Sequence, residues 1–333
     1  MRTLVFSVLL SLCIACSQTP EEVQISGSTM GTQYNVTLVN SEVDAEAVQQ
    51  EIVASLDAVN RMMSTYATDS EISRFSRNQS TDWQQVSADF CASVEDALAL
   101  SEFTDGAFDI TVGPLVNLWG FGPSESIDKP PADADIKKML NAVGYEHLQA
   151  DCTKPALKKN IVDLVLDMSA FGKGYAADKV AERLAKAGYS DYLVEVGGEL
   201  RVAGRNAKGE LWAIGIEAPL NDQRRPHTVV RITDAALATS GDYRNYFETD
   251  GRRYSHTIDT RTGRPVTHSL ASVTVIDGSG SRADGLATAF LVMGPEKALA
   301  LANKEQIAAV FLIRNDAGIE QLTTSAFDQL RSG

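Results

Sequence analysis

In the segment 43–63, apolar Val48, Ile52, Leu56 and Val59 recur at spacings of three and four, which predicts an amphipathic helix over Val43–Met63. A second helix is predicted over Ala88–Phe103, where Phe90, Cys91, Val94, Ala97 and Leu98 form an apolar stripe and Ser87 is the candidate N-cap. A third follows the glycines at 172 and 174, with Ala177, Val180, Ala181 and Leu184 on one side and Gly188 as its C′ residue. Strands are predicted at Ile161–Asp167, Tyr192–Val196, Leu211–Ile216, Val229–Ile232, Arg253–Ile258, Ser272–Ile276 and Ala308–Ile313. Some are joined by turn signals such as Asp259-Thr-Arg-Thr-Gly263 and others by helices, so the expected class is mixed α+β, with largely antiparallel sheets and packed helices. Pro123–Asp135, rich in Pro, Ser and Asp, reads as a surface loop.

Composition narrows the picture. A chain of 333 residues, 44% hydrophobic and 22% charged, can bury a sizeable core, which excludes a disordered or collagenous reading. A formal charge of −14 argues against a nucleic-acid partner. Arg2 precedes an apolar stretch from Leu4 to Ala15 that is too short to span a bilayer and reads as a secretory signal. The order Leu12-Cys13-Ile14-Ala15-Cys16 resembles a bacterial lipobox, although that pattern usually has Leu where Cys13 stands. The expected organisation is therefore a leader over residues 1–15, a tether over 16–22 lipidated at Cys16, and one folded domain over 23–333. Outside the cytosol Cys91 and Cys152 can pair, but Cys91 equally suits a buried free thiol, and spacing leaves both readings open.

Three segments carry candidate chemistry. In Leu166-Asp-Met-Ser-Ala-Phe-Gly-Lys-Gly-Tyr-Ala-Ala-Asp178, Asp167 is expected to close a strand and Ser169 to cap the following helix. Gly172 and Gly174 there let backbone N–H groups approach a phosphate, with Lys173 adding a positive charge, although such a turn is often purely structural. In Ser281-Arg-Ala-Asp-Gly-Leu-Ala-Thr288, Asp284 and Thr288 project from one helical face, as two ligands of Mg²⁺ can. The same pair also fits a carboxylate near a helix N-terminus and a threonine bonded back to its own helix. His256, beside a turn dense in Arg, Asp and Thr, is placed to act as a base or to sit satisfied in a strand.

Taken together with Gly27-Ser-Thr-Met-Gly-Thr32, Met63-Ser-Thr-Tyr66, Gly106-Ala-Phe-Asp-Ile-Thr-Val-Gly-Pro114 and Asn117-Leu-Trp-Gly-Phe-Gly122, these segments resemble the FAD:protein FMN transferase family, also called ApbE, in the family's order. The resemblance implies the family's T-fold-like architecture and Mg²⁺-dependent transfer of the FMN half of FAD to a threonine hydroxyl of an acceptor protein, releasing AMP. It assigns Met30, Tyr66, Ala107, Phe108, Asp109, Asp167, Lys173 and Ile258 to the FAD pocket. Magnesium falls to Asp284, Thr288 and the backbone carbonyl of Ala170, and the base to His256. Some relatives carry a second carboxylate where this chain has Ala287. The implied acceptors are subunits of flavin-dependent redox complexes, and the implied place is the periplasmic side of the inner membrane, through the lipid anchor. An FAD pyrophosphatase and a flavin-binding lipoprotein without turnover are the alternatives.

Overall fold

The computed structural model describes residues 21–39, 42–123, 126–220, 225–243 and 245–332. The leader, Cys16, most of the tether and Arg244 lie outside these described residues. An eight-stranded sheet organises the chain. Its strands are Glu22–Thr29, Thr32–Val39, Tyr192–Val196, Glu199–Ala203, Ala235–Gly241, Leu270–Asp277, Ala308–Asn315 and Gly318–Thr323, side by side in the order in which they occur. Every neighbouring pair is antiparallel.

Successive side chains of a strand point to opposite faces, so this sheet presents two apolar surfaces. Val194, Val196, Ala238, Val273, Val275, Ala309 and Phe311 face the main core, together with residues of the helices Ala45–Met63, Gly172–Lys186 and Gly280–Met293. Their neighbours Val202, Leu237, Ile276, Val310 and Leu312 face a second core, closed by the hairpin of Trp212–Glu217 with Pro226–Ile232 and by Phe327. Cover on both faces leaves every residue of Leu270–Ile276 buried, Ser272 and Thr274 included.

The helices follow their patterns closely. Val48, Ile52, Leu56 and Val59 are buried in the helix Ala45–Met63, which Asp44 caps through the N–H of Ala47. The helix Ala88–Phe103 begins where expected, with Ser87 Oγ accepting from the N–H of Phe90. Gly188 sits just past the helix Gly172–Lys186 with φ of 92°.

Four expectations are corrected. Ile161–Asp167 forms no strand; Asp167 is held instead by a single backbone bond to the carbonyl of Ile110, 2.7 Å away. Ser169 does not cap the following helix, whose N-cap is Phe171; its own N–H donates to Asp167 Oδ1. Arg253–Ile258 is two strands, Arg252–Ser255 and Ile258–Asp259, interrupted at His256 and Thr257. The loop after Pro123 ends early, because Asp133, whose negative charge suits a helix N-terminus, opens the helix Asp133–Leu140.

The structure also resolves the alternatives for the thiols: Cys91 and Cys152 form a disulfide between residues 61 apart in sequence. A loop of that length gives about 4 kcal/mol by the chain-entropy account. The Cys91→Ala/Cys152→Ala protein is therefore expected to unfold at markedly lower urea, and an unchanged midpoint would contradict the bridge.

Candidate active site

A cavity of about 610 Å³ opens between the Gly280–Met293 helix, the start of the Gly172–Lys186 helix, the segment 107–109 and the strand end carrying His256. Among its lining residues are Tyr66, Ala107, Phe108, Asp109, Asp167, Ala170, Lys173, His256, Ile258, Asp284 and Thr288. Segments far apart in the chain thus bring to a single hollow all but one of the residues assigned from the sequence to the FAD pocket, the magnesium and the base. The exception is Met30, which sits on the turn between the first two strands with φ of 49° and packs against the main core.

Asp284 is buried one helical turn before Thr288. Its Oδ2 accepts from the N–H of Gly174 at 3.1 Å, while Oδ1 lies 4.0 Å from Nζ of Lys173. Two helix starts meet here without a side chain between them. A Cβ on Gly174 would lie 2.0 Å from the carbonyl oxygen of Gly280, so only glycine permits this approach. From the other side Asp178 accepts from the N–H groups of Gly280 and Ser281, anchoring the start of the Gly280–Met293 helix. Thr288 shares a 2.7 Å hydroxyl bond with Ser240. The partners of this pair lie outside its own helix: Asp284 answers another helix, and Thr288 answers a strand.

Burial raises the pKa of Asp284, although Lys173 and the backbone N–H groups of Gly174 and Lys173 oppose the shift. Lys173 also pairs with Glu199 at 2.8 Å. Burial alone would lower the lysine, but Asp284 and Glu199 outweigh it and its pKa is raised. Glu199 is itself buried; desolvation pushes it up to about 7 against the attraction of Lys173. Sequence reading missed Glu199, and its signal was the pair Gly197-Gly198 just before it, a tight two-residue loop between strands with φ of 62° and 107°.

His256 is held twice by one residue: its N–H donates to the carbonyl of Asn245 at 3.1 Å, and its Nδ1 lies 3.0 Å from the same oxygen. A carbonyl only accepts, so Nδ1 carries the proton and Nε2 keeps its lone pair. Burial lowers the ring's pKa, with Lys173 adding to the effect. Phe121 meets the ring edge-on at 6.3 Å. Behind it Trp119 stacks on Tyr254 and donates from Nε1 to the carbonyl of Gly263 at 2.8 Å, which ties the Asn117–Gly122 motif to the turn beyond His256.

Asp109 does different work from a ligand-binding carboxylate in open solvent. Its oxygens accept from the N–H and hydroxyl of Thr111 and the N–H of Tyr145, fixing the loop that presents Ala107 and Phe108; burial nonetheless raises its pKa. Tyr66, 69% exposed, stands at the opening as an unpacked aromatic face. Ala287 is buried in the main core and does not line the cavity.

The donor set fits a small hard cation. Among the described residues no three His, Cys, Asp or Glu side chains converge as a metal cage. Mg²⁺ needs no such cage, since it binds through one or two carboxylates and completes its octahedron with water and phosphate. Asp284 and Thr288, with Ala170 beside them on the same cavity, supply hard oxygen of that kind.

The family model described as the ApbE family matches residues 30–311. The chain is 44% identical over 320 residues to the FAD:protein FMN transferase of Vibrio cholerae, covering 96% of this chain and 95% of that one. To the FAD:protein FMN transferase of Haemophilus influenzae it is 39% identical over 334 residues, covering 98% and 96%. The solved structure of the flavin transferase ApbE from Vibrio cholerae superposes with a TM-score of 0.87 at 42% identity, over 93% of this chain and 99% of that one. The same antiparallel α+β architecture and nearly full-length kinship lead to one conclusion: this chain belongs to the ApbE family.

Proposed function

We propose that this protein is an enzyme that transfers the FMN moiety of FAD to a threonine hydroxyl of an acceptor protein, with Mg²⁺, releasing AMP. The observation that carries the reading is the placement of a histidine with a free Nε2 on the same cavity as Lys173 and the oxygens of Asp284 and Thr288. Names borne by relatives at this identity and coverage support flavin transfer from FAD to a protein.

The chemistry follows from the charges. A pyrophosphate repels an incoming oxygen nucleophile. Asp284, Thr288 and the Ala170 carbonyl would hold Mg²⁺, which would supply charge neutralisation and polarisation of the phosphoryl oxygen. Lys173 offers its ammonium to the phosphates from the same wall. His256 Nε2 takes the proton of the acceptor hydroxyl as that oxygen bonds to the FMN phosphorus. The anhydride oxygen leaves with AMP. Tyr66, Phe108 and Ile258 give apolar and aromatic surface suited to the flavin or adenine ring.

The leader pattern supports lipidation at Cys16 and a place in the cell envelope, on the periplasmic side of the inner membrane, and the Cys91–Cys152 bridge suits an oxidising compartment. Among the described residues no helix is long and apolar enough to cross a membrane. Envelope subunits of flavin-dependent redox complexes are the acceptors this location favours.

Incubation of the protein with FAD, Mg²⁺ and candidate acceptor subunits, followed by mass mapping, tests the reading. The expected result is an FMN adduct on a threonine with AMP released in equal amount. FMN and AMP free in solution, with no adduct on any acceptor, would replace transfer by pyrophosphate hydrolysis, and no AMP at all would reduce the protein to a flavin binder.

A further inference from the structure

We infer that Glu199 is a positioning residue that takes up the charge of Lys173 and so keeps Asp284 available to a divalent cation. The inference rests on the reading of Asp284 as the cation's carboxylate. One ammonium stands between two buried carboxylates, 2.8 Å from Glu199 Oε1 and 4.0 Å from Asp284 Oδ1. Only the nearer contact is a direct ion pair with hydrogen-bond geometry. The farther one leaves Asp284 facing a cation that it does not bind.

The backbone enforces this choice. Glu199 begins a strand directly after Gly197-Gly198, and a Cβ on Gly197 would lie 3.0 Å from Cδ of Lys173. The lysine stem therefore lies along the bare backbone of that turn, with its end delivered to the Glu199 carboxylate. Glu199 is 4% exposed, and its other oxygen, Oε2, has no hydrogen-bond partner. A buried carboxylate with an idle oxygen is costly to keep unless it has a task. Holding the one ammonium that would otherwise neutralise Asp284 is such a task. Without Glu199 the flexible Lys173 needs to move little more than an ångström to pair with Asp284 and compete with the metal.

Direct metal binding, with no flavin and no turnover, tests the inference. Mn²⁺ titrated into the protein is followed by electron paramagnetic resonance of the free ion, with melting temperature recorded for each variant. Wild type should bind, and Asp284→Ala should not; if both bind alike, the metal reading itself fails and this inference with it. Given that control, Glu199→Gln should weaken Mn²⁺ binding by about tenfold or more, as a charge at a few ångströms in a partly buried site would. Lys173→Met should bind Mn²⁺ more tightly than wild type, and the Glu199→Gln/Lys173→Met protein should regain wild-type affinity or better. Unchanged affinity in Glu199→Gln would overturn the inference while leaving the metal site intact. A double variant as weak as Glu199→Gln would overturn it differently, by making Glu199 a ligand of the cation itself. Lys173→Met decides the matter even if Glu199→Gln folds poorly, since affinity equal to or below wild type there denies any competition by the lysine.

Discussion

Asp284→Ala is expected to lower metal-dependent flavin transfer by about 10³-fold or more, the size of a lost contribution of ~4 kcal/mol to the barrier. The reason is that Asp284 is the one carboxylate of the proposed ligand set, while Asp109 and Asp167 on the same cavity accept from backbone N–H groups. Thr288 and the Ala170 carbonyl are neutral, and the next acid, Glu199, is already paired with Lys173. With Asp284 gone, the proposed ligand set keeps only neutral oxygens for Mg²⁺. The fold should survive the change. Asp284 is buried with a raised pKa, so its ionised form is an expense to the folded state, and removing it leaves the N–H of Gly174 as the principal unpaired group. A rate measured over a magnesium titration, beside a thermal melt, separates the two effects. Full transfer at ordinary magnesium would remove the metal from Asp284 and with it the proposed chemistry.

How much of this site was legible in the sequence depends on what kind of information each residue carries. Asp284 and Thr288 were visible because both lie on one helix, where a separation of four fixes a common face. The cap Ser87 and the stripes of the long helices were visible for the same reason: their partners lie within one turn. Asp167 was noticed, but its setting was misjudged. The run before it is rich in branched residues, yet its backbone meets Ile110 and Ser76 rather than a neighbouring strand, and Lys159 binds the carbonyls of Val162 and Leu164 to that of Ser76. Strand propensity describes a side chain's fit to a pleated surface and does not say whether a partner strand is there.

Other features depend on segments remote in the chain, and no local pattern announces them. Asp178 lies within a helix, but it answers the start of another helix about a hundred residues later. Glu199 follows a glycine pair and carries no local signal of its role; only the packing of Lys173 against that turn reveals its partner. The strands Glu22–Thr29, Thr32–Val39, Glu199–Ala203, Ala235–Gly241 and Gly318–Thr323 went unpredicted; Glu22–Thr29 and Gly318–Thr323 are polar edge strands, whereas Thr32–Val39 does alternate, with Tyr34, Val36 and Leu38 buried. The antiparallel order itself is simple once seen, since each strand pairs with the next one in the chain to join this sheet.

His256→Ala is expected to slow transfer by about 10² to 10⁴, the usual worth of a general base, while FAD binding stays close to wild type. Binding should persist because the ring's Nδ1 is engaged by Asn245 and its contact with Phe121 is an edge, so the imidazole is a small part of the cavity wall. The pH profile gives a second, independent readout. Only the neutral ring has a lone pair on Nε2, and burial holds its pKa below the ordinary 6.5. Wild-type kcat/KM should therefore be level from neutral pH down past 6.5 and fall only below that, as protons occupy the base. That acid limb should vanish in His256→Ala, whose residual rate comes from alignment and phosphate neutralisation alone. A variant that keeps the wild-type rate, or that keeps the same acid limb at a reduced rate, would assign the proton to some other group and leave His256 a structural tie between two strand ends.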